Sequence, residues 1–130
     1  PALKGWVTRM AKTLRMDSLA IAITKELKDY TEEVAEEVTK IAKDVAIESA
    51  EKLHERSPKR TGNYRKGWDV REVKGGYEVY NKTVPYLTHL LEKGHAKRNG
   101  GRTEPIPHIA PVEEEAISEF EKRVEGAIGK

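Results

Sequence analysis

Leu19, Ile23, Leu27, Tyr30, Val34, Val38, Ile41, Val45 and Leu53 follow one another almost entirely at steps of three and four residues. That spacing places them on one stripe of an α-helix, with Ala35, Ala42 and Ala46 beside it and acidic residues on the other faces. Asp17 or Ser18 offers a side-chain oxygen to the free N–H groups at its start. Ser57-Pro58 ends it, because the residue before a proline disfavours helical geometry. The helix so predicted, 17–56, would be about 55–60 Å long at ~1.5 Å per residue. That is roughly twice the width of a small domain. Either the helix kinks and its stripe forms a core within the chain, or part of the stripe is covered by another copy.

A chain of 130 residues, 37% hydrophobic and 35% charged, builds one domain with a modest core. The domain is expected over 17–130, with 1–16 as a basic N-terminal arm or an expression remnant. There is no cysteine, so disulfides and thiolate metal sites are excluded and the redox compartment stays open. No apolar run approaches the ~20 residues that span a bilayer, so no membrane partner is expected. The net charge is only +2 but is unevenly spread. Residues 1–16 carry +4, 17–56 carry −5, 57–103 carry +7 and 104–130 carry −4. Such blocks suit either a polyanion or complementary contacts between copies.

After the helix, Trp68 and Val70 alternate with Asp69 and Arg71, and Tyr77 and Val79 alternate with Glu78 and Tyr80. This is the period of half-buried strands. Gly75-Gly76 between them permits a tight turn, so a β-hairpin is predicted over 64–73 and 76–82. Pro85 opens a short helix with Leu87, Leu90 and Leu91 on its apolar side and Gly94 as a left-handed cap. The run from His95 to Pro107 has no periodicity and reads as an exposed, mobile loop. A last helix from Ala110 carries Val112, Ala116, Ile117, Phe120, Val124 and Ile128 on one face. Pro111 suits its first turn, and Glu113, Glu114 and Glu115 favour its positive end. The order α-β-β-α-α defines an α+β fold: a long N-terminal helix, a small antiparallel sheet, a short helix, a long loop and a C-terminal helix.

Three chemistries bear on the stretch 87–116. His89, His95, His108 and Glu92 lie near one another in sequence, but the zinc-binding helix pattern of two His four apart beside a Glu is absent. The alternative is that His89 packs at a helix edge while His95 and His108 make backbone or cross-subunit hydrogen bonds. "GHAKRNGGR" has glycines and cations but no strand–loop–helix frame for a phosphate nest. Lys97, Arg98 and Arg102 could still touch a nucleic-acid backbone, which needs only positive charge, though aromatics to grip single strands are missing. For catalysis, Ser57 and Thr61 have no adjacent histidine base, and no apolar pocket is evident to push two carboxyl pKa values apart. "SPKRTG" is a turn in which Pro58 stops the helix, Thr61 bonds the local backbone and Gly62 releases the chain. No enzymatic activity, metal or cofactor is expected.

The series "SPKRTGNYRKGW", "VYNKT", "PYLTHLLEKGHAKRNGG" and "PHIAPVEEEA" resembles the head–tail joining, or tail-completion, family of long-tailed bacteriophages. The S-P-x-x-T-G turn is matched by Ser57, Pro58, Thr61 and Gly62. A strand-end Asn near a Tyr is matched by Asn81 and Tyr86, the E-x-G helix end by Glu92 and Gly94, and the P-x-x-x-P segment by Pro107 and Pro111. The resemblance covers about 17–128. It implies a structural virion protein at the head–tail junction, assembled in the host cytoplasm. It also implies a homo-hexameric ring that meets a head-completion or connector protein on one side and a tail terminator or tail tube protein on the other. On that reading Lys97, Arg98, Arg102, Glu92, His95 and His108 are the candidate interface residues, while Trp68 and the turn residues are structural. DNA contact is secondary. The alternative is a small nucleic-acid-binding protein using the basic segment 57–103.

Overall fold

The structure, a computed structural model, describes residues 19–22, 31–58, 62–73 and 76–128, with 19–22, 89 and 128 described through their backbone. Its elements run β1 (Leu19–Ala22), α1 (Glu32–Arg56), a single turn α2 (Asn63–Lys66), β2 (Trp68–Val73), β3 (Gly76–Asn81), α3 (Tyr86–Lys93) and α4 (Ile109–Ile128). The α+β class agrees with the sequence reading.

The first helix is shorter than its apolar stripe implied. It begins at Glu32, with the Thr31 hydroxyl accepting a hydrogen bond from Val34 N at 3.2 Å and Glu32 and Glu33 in the first turn. A carboxylate-rich first turn behind a threonine cap is favoured at the positive end of a helix. Its 25 residues span about 37 Å. Residues 19–22, predicted helical, instead form a strand antiparallel to β3, with Leu19 opposite Val79 and Ala22 opposite Gly76. The run Leu-Ala-Ile-Ala satisfies either period, and the edge of β3 supplies the hydrogen bonds that decide between them. The predicted caps Asp17 and Ser18, and the stripe positions Ile23, Leu27 and Tyr30, lie outside the described residues.

The sheet has the order β1-β3-β2, all antiparallel. β2 pairs with β3 from Trp68–Asn81 to Val73–Gly76. The hairpin therefore starts four residues later than predicted, because 63–66 close a helical turn. Gly62 opens that turn at φ 83°, ψ −25°, a left-handed conformation that glycine adopts without a Cβ clash. Gly67 follows it into the strand at a point of close approach, where a Cβ would stand 2.1 Å from Thr83 Oγ1 and 2.5 Å from Asn81 Oδ1.

Ser57 stops α1 as expected, its N–H returning to Leu53 O at 2.9 Å. From Val38 to Leu53 the helix stripe is covered within the chain. Val38, Ala42, Val45 and Leu53 pack with Ile109, Val112, Phe120 and Val124 of α4 and with Val79 of β3. The helices α1 and α4 run antiparallel, since Glu48 meets Arg123 while Lys52 and Arg56 both meet Glu115. These pairs are partly exposed, so each contributes little beyond fixing the register. The bidentate Arg123–Glu48 contact, at 2.7 and 2.8 Å, is the best formed.

Candidate interface site

The segment from α3 to α4 is held by a carboxylate that sequence reasoning placed at an interface. Glu92 lies on α3 and is buried. Its Oε1 accepts from His108 N at 2.8 Å and Ile109 N at 2.9 Å, and its Oε2 accepts from Ala110 N at 2.9 Å. The opening N–H groups of a helix have no partner within it. In α4 three of them reach Glu92, and the next residue is Pro111, which has no N–H. The helix start is thereby fully accounted for by one side chain from another helix. Burial pushes the Glu92 carboxyl up, but the three N–H groups and the nearby His108 outweigh it and hold the group below the usual carboxylate range. Sequence carried one signal of this. The residue before α4 is His108, with no Ser, Thr, Asp or Asn at the cap, so a cap had to come from elsewhere.

His108 is buried too. Its Nδ1 lies 2.7 Å from Ile106 O and 3.1 Å from Glu92 Oε1, and its Nε2 lies 2.6 Å from the Tyr64 hydroxyl. A carbonyl only accepts, so Nδ1 carries a proton, and in the neutral ring Nε2 accepts from Tyr64. Burial, with the charge of Glu92, pushes the Tyr64 phenol up and keeps it protonated for that role. The rings of Tyr64, Trp68 and His108 meet edge to face at 5.5–6.4 Å. Trp68 Nε1 donates to Ser57 Oγ at 2.7 Å, and Ser57 Oγ in turn donates to Leu53 O. A carboxylate, a histidine and a hydroxyl in series have the chemistry of a nucleophile relay. Here all three are shut inside the fold, Glu92 held by the N–H groups that open α4 and His108 by Ile106 O and the Tyr64 hydroxyl, so they act as a brace between α2, α3 and α4. Asn81, also buried, adds a second brace: Nδ2 donates to Tyr64 O at 2.6 Å and Oδ1 accepts from Val84 N at 3.0 Å.

Glu113, one turn into α4, lies beside this network, and its Oε1 is buried without a hydrogen-bond partner. Burial first, and the Glu92 charge second, push its carboxyl up to about 7. The unfolded chain therefore loses this proton near pH 4.5 and the folded chain near 7, so stability falls as pH rises between those values. Glu113→Gln is expected to flatten that slope and to raise stability at pH 8 by on the order of 1 kcal/mol, after discounting for nearby solvent. Urea titrations at pH 5 and pH 8 check this. An unchanged difference between the two pH values would refute it.

From Gly94 the chain enters the predicted loop, which is a small hairpin instead. Gly94 takes φ 74° and ψ 169°, not the left-handed cap expected. This region is open essentially to glycine alone, and a Cβ there would lie 2.6 Å from Thr103 O. Ala96 bridges Arg102, Lys97 N donates to Gly101 O at 2.9 Å, and Thr103 N donates to His95 O at 2.9 Å. Gly100 and Gly101, both at positive φ, make the reversal. At the base, His95 N donates to Thr103 Oγ1 at 2.9 Å, Arg102 donates to Gly94 O at 3.3 Å, and Ile106 N donates to Leu91 O at 2.7 Å.

The candidate interface residues thus separate into two groups. Lys97, Arg98, Arg102 and His95 are exposed on this turn, and the side chains of Lys97 and Arg98 make no ion pair among the described residues. Glu92 and His108 have internal partners. Of the turn residues, Ser57 is buried, Pro107 and Pro111 are exposed and Thr61 lies outside the described residues. Among the described residues no group of three His, Cys, Asp or Glu side chains is placed to hold a metal ion. No helix there is long and apolar enough to cross a membrane. An open groove of about 740 Å³ runs between the outer flank of α1 and the strands β2 and β3; sequence reasoning did not foresee it.

The short three-stranded sheet packs against α1, and α1 packs antiparallel to α4, with the polar network turned inward and a basic turn outward. The family model described as "Bacteriophage HK97-gp10, putative tail-component" matches residues 21–94, and the chain belongs to this HK97-gp10-like family. It is accordingly a structural component of a bacteriophage tail. No curated protein and no solved structure matched the chain. The matched region ends at Gly94, so the basic turn and α4 lie beyond it.

Proposed function

We propose that this protein completes the phage tail and joins it to the head-connector complex as an oligomeric, six-fold ring, without catalysing a reaction. Residues 17–130 act as one unit at the head–tail junction, between a head-completion or connector protein and a tail terminator or tail tube protein. Membership of a phage tail-component family is the observation that carries this reading. The exposed basic turn supports it, because a surface feature braced by backbone hydrogen bonds loses little entropy on docking. Virions assembled without this chain are expected to appear in electron micrographs as separate heads and tails. Joined, infectious particles would overturn the proposal.

The clustering of Lys97, Arg98 and Arg102 on one exposed turn also suits a nucleic-acid backbone. On that second reading the protein binds duplex DNA with an affinity that falls steeply with salt, whereas weak binding that hardly changes with salt removes it.

A further inference from the structure

We propose that the groove between α1 and the β2–β3 face is the seat for the basic turn, 96–102, of a neighbouring copy. The inference rests on the ring reading above and names the two surfaces that would close the ring.

The groove is acidic at its rim and apolar inside. Glu51 and Glu55 come from α1, and Asp69 and Glu72 from β2, against Lys43 and Arg71 as the only lysine or arginine among the described residues of its wall. Arg71 is already engaged, since its guanidinium bonds Glu78 and lies 4.1 Å from the centre of the Tyr80 ring. Asp69 holds Lys82. Glu51 and Glu72 are exposed and make no ion pair among the described residues. Between them Ile47, on the groove wall, leaves 40% of its surface in solvent. A carboxylate rim over exposed apolar surface repels nucleic acid and fits a compact cationic segment with aliphatic stems.

The basic turn has those properties. Lys93, Lys97, Arg98 and Arg102 fall in a run of residues with no acid until Glu104. The turn is preformed by the Ala96–Arg102 bridge, so its cations are presented at a low ordering cost. Donor and acceptor surfaces differ, so the contact is head-to-tail, the geometry that generates rings or helical filaments rather than closed dimers. Charge pairs at such a contact set register and partner choice more than raw affinity.

A charge-swap experiment on the full chain tests this, read by sedimentation velocity and native mass spectrometry. The groove variant is E51K/E72K and the turn variant K97E/R98E, each checked for folding by circular dichroism. All four positions are exposed, so folding is expected to be unaffected. Wild-type protein is expected to assemble, and each variant alone to assemble at least about tenfold more weakly. An equimolar mixture should recover assembly, because each variant then offers the complement that the other needs. Because the chain has no cysteine, the double variant E51C/R98C supplies a second measurement. Oxidation should yield a ladder of multimers beyond the dimer.

Variants that assemble like wild type, or a disulfide that forms only within one chain, would overturn the seat and leave the ring reading standing. Loss of assembly without recovery in the mixture would assign the groove to another occupant, the basic segment 1–16 or a different phage protein. A wild-type chain that stays monomeric at high concentration, with no disulfide ladder, would overturn the ring and the seat together.

Discussion

Glu92→Ala is expected to destabilise the protein by about 3–5 kcal/mol at pH 7, measured by urea or guanidinium unfolding. The change removes the acceptor of three N–H bonds at the start of α4. Bonds to a charged acceptor are worth ~1.5–3 kcal/mol each, and a donor left buried and unsatisfied costs ~1–3 kcal/mol. The total falls below a simple sum because water can reach part of the vacated space. Glu92→Gln is the finer test. One amide oxygen can still accept from His108 N and Ile109 N, but the amide nitrogen would face the Ala110 N–H, donor against donor, so a loss of about 2 kcal/mol is expected. The pH dependence follows from the sign of the shift. A carboxyl whose folded pKa lies below its unfolded value contributes stability above about 4.5 and loses it as pH falls through the folded value. Both variants should therefore lose part of the acid limb of the stability profile. Removing the Glu92 charge also relieves one cause of the raised Glu113 pKa, so Glu113 should titrate lower in either variant. A loss under 1 kcal/mol with an unaltered acid limb would show that α4 is capped by some other means.

Trp68→Ala should cost about 3–5 kcal/mol, the range for truncating a buried aromatic side chain. Trp68 is 8% exposed, its ring meets Tyr64 and His108 edge to face, and its Nε1 reaches Ser57 where α1 ends. The cavity would open where α1, β2 and α4 converge. Trp68→Phe separates the contributions, keeping most of the apolar contact while leaving Ser57 Oγ without its donor, for a smaller loss of about 1–2 kcal/mol. Chemical denaturation followed by far-ultraviolet circular dichroism reads both variants without relying on tryptophan emission. A change well under 1 kcal/mol for Trp68→Ala would place the ring on the surface.

The elements whose periods are long and unambiguous were legible from sequence. The stripe from Val38 to Leu53, the Ser57-Pro58 stop, the alternation that makes β2 and β3, and the apolar face of α4 all appear in the fold. Local physics suffices there, because one helical face or one strand face meets the core whatever the partner. The class of protein was legible as well, through the order of its turn and helix-end motifs. The errors fall where local preference is weak. Leu19–Ala22 fits a helix or a strand equally well, and the open edge of β3 chose the strand. Tyr64 was assigned to the hairpin, yet its side chain is needed below His108, and the turn opened by Gly62 delivers it there.

For the candidate site the division is sharper. Sequence singled out Glu92, His95, His108, Lys97, Arg98 and Arg102 as one group because charge and spacing do not report which way a side chain points. Tertiary structure turned two of them inward, since the opening N–H groups of α4 had no acceptor of their own and Glu92 was in reach. It left Lys97 and Arg98 outward on a glycine-made hairpin. By itself, the sequence determined the helix stripe, the strand alternation, the punctuation by proline and glycine, and the uneven distribution of charge. These follow from the periodicity of the backbone and the conformational limits of single residues. Only the tertiary structure decided that 19–22 is a strand, that Glu92 caps a helix sixteen residues away and that the cations lie apart from an acidic groove. Those outcomes depend on which unsatisfied hydrogen-bonding groups and which free edges meet in space, and residue order does not contain that information locally.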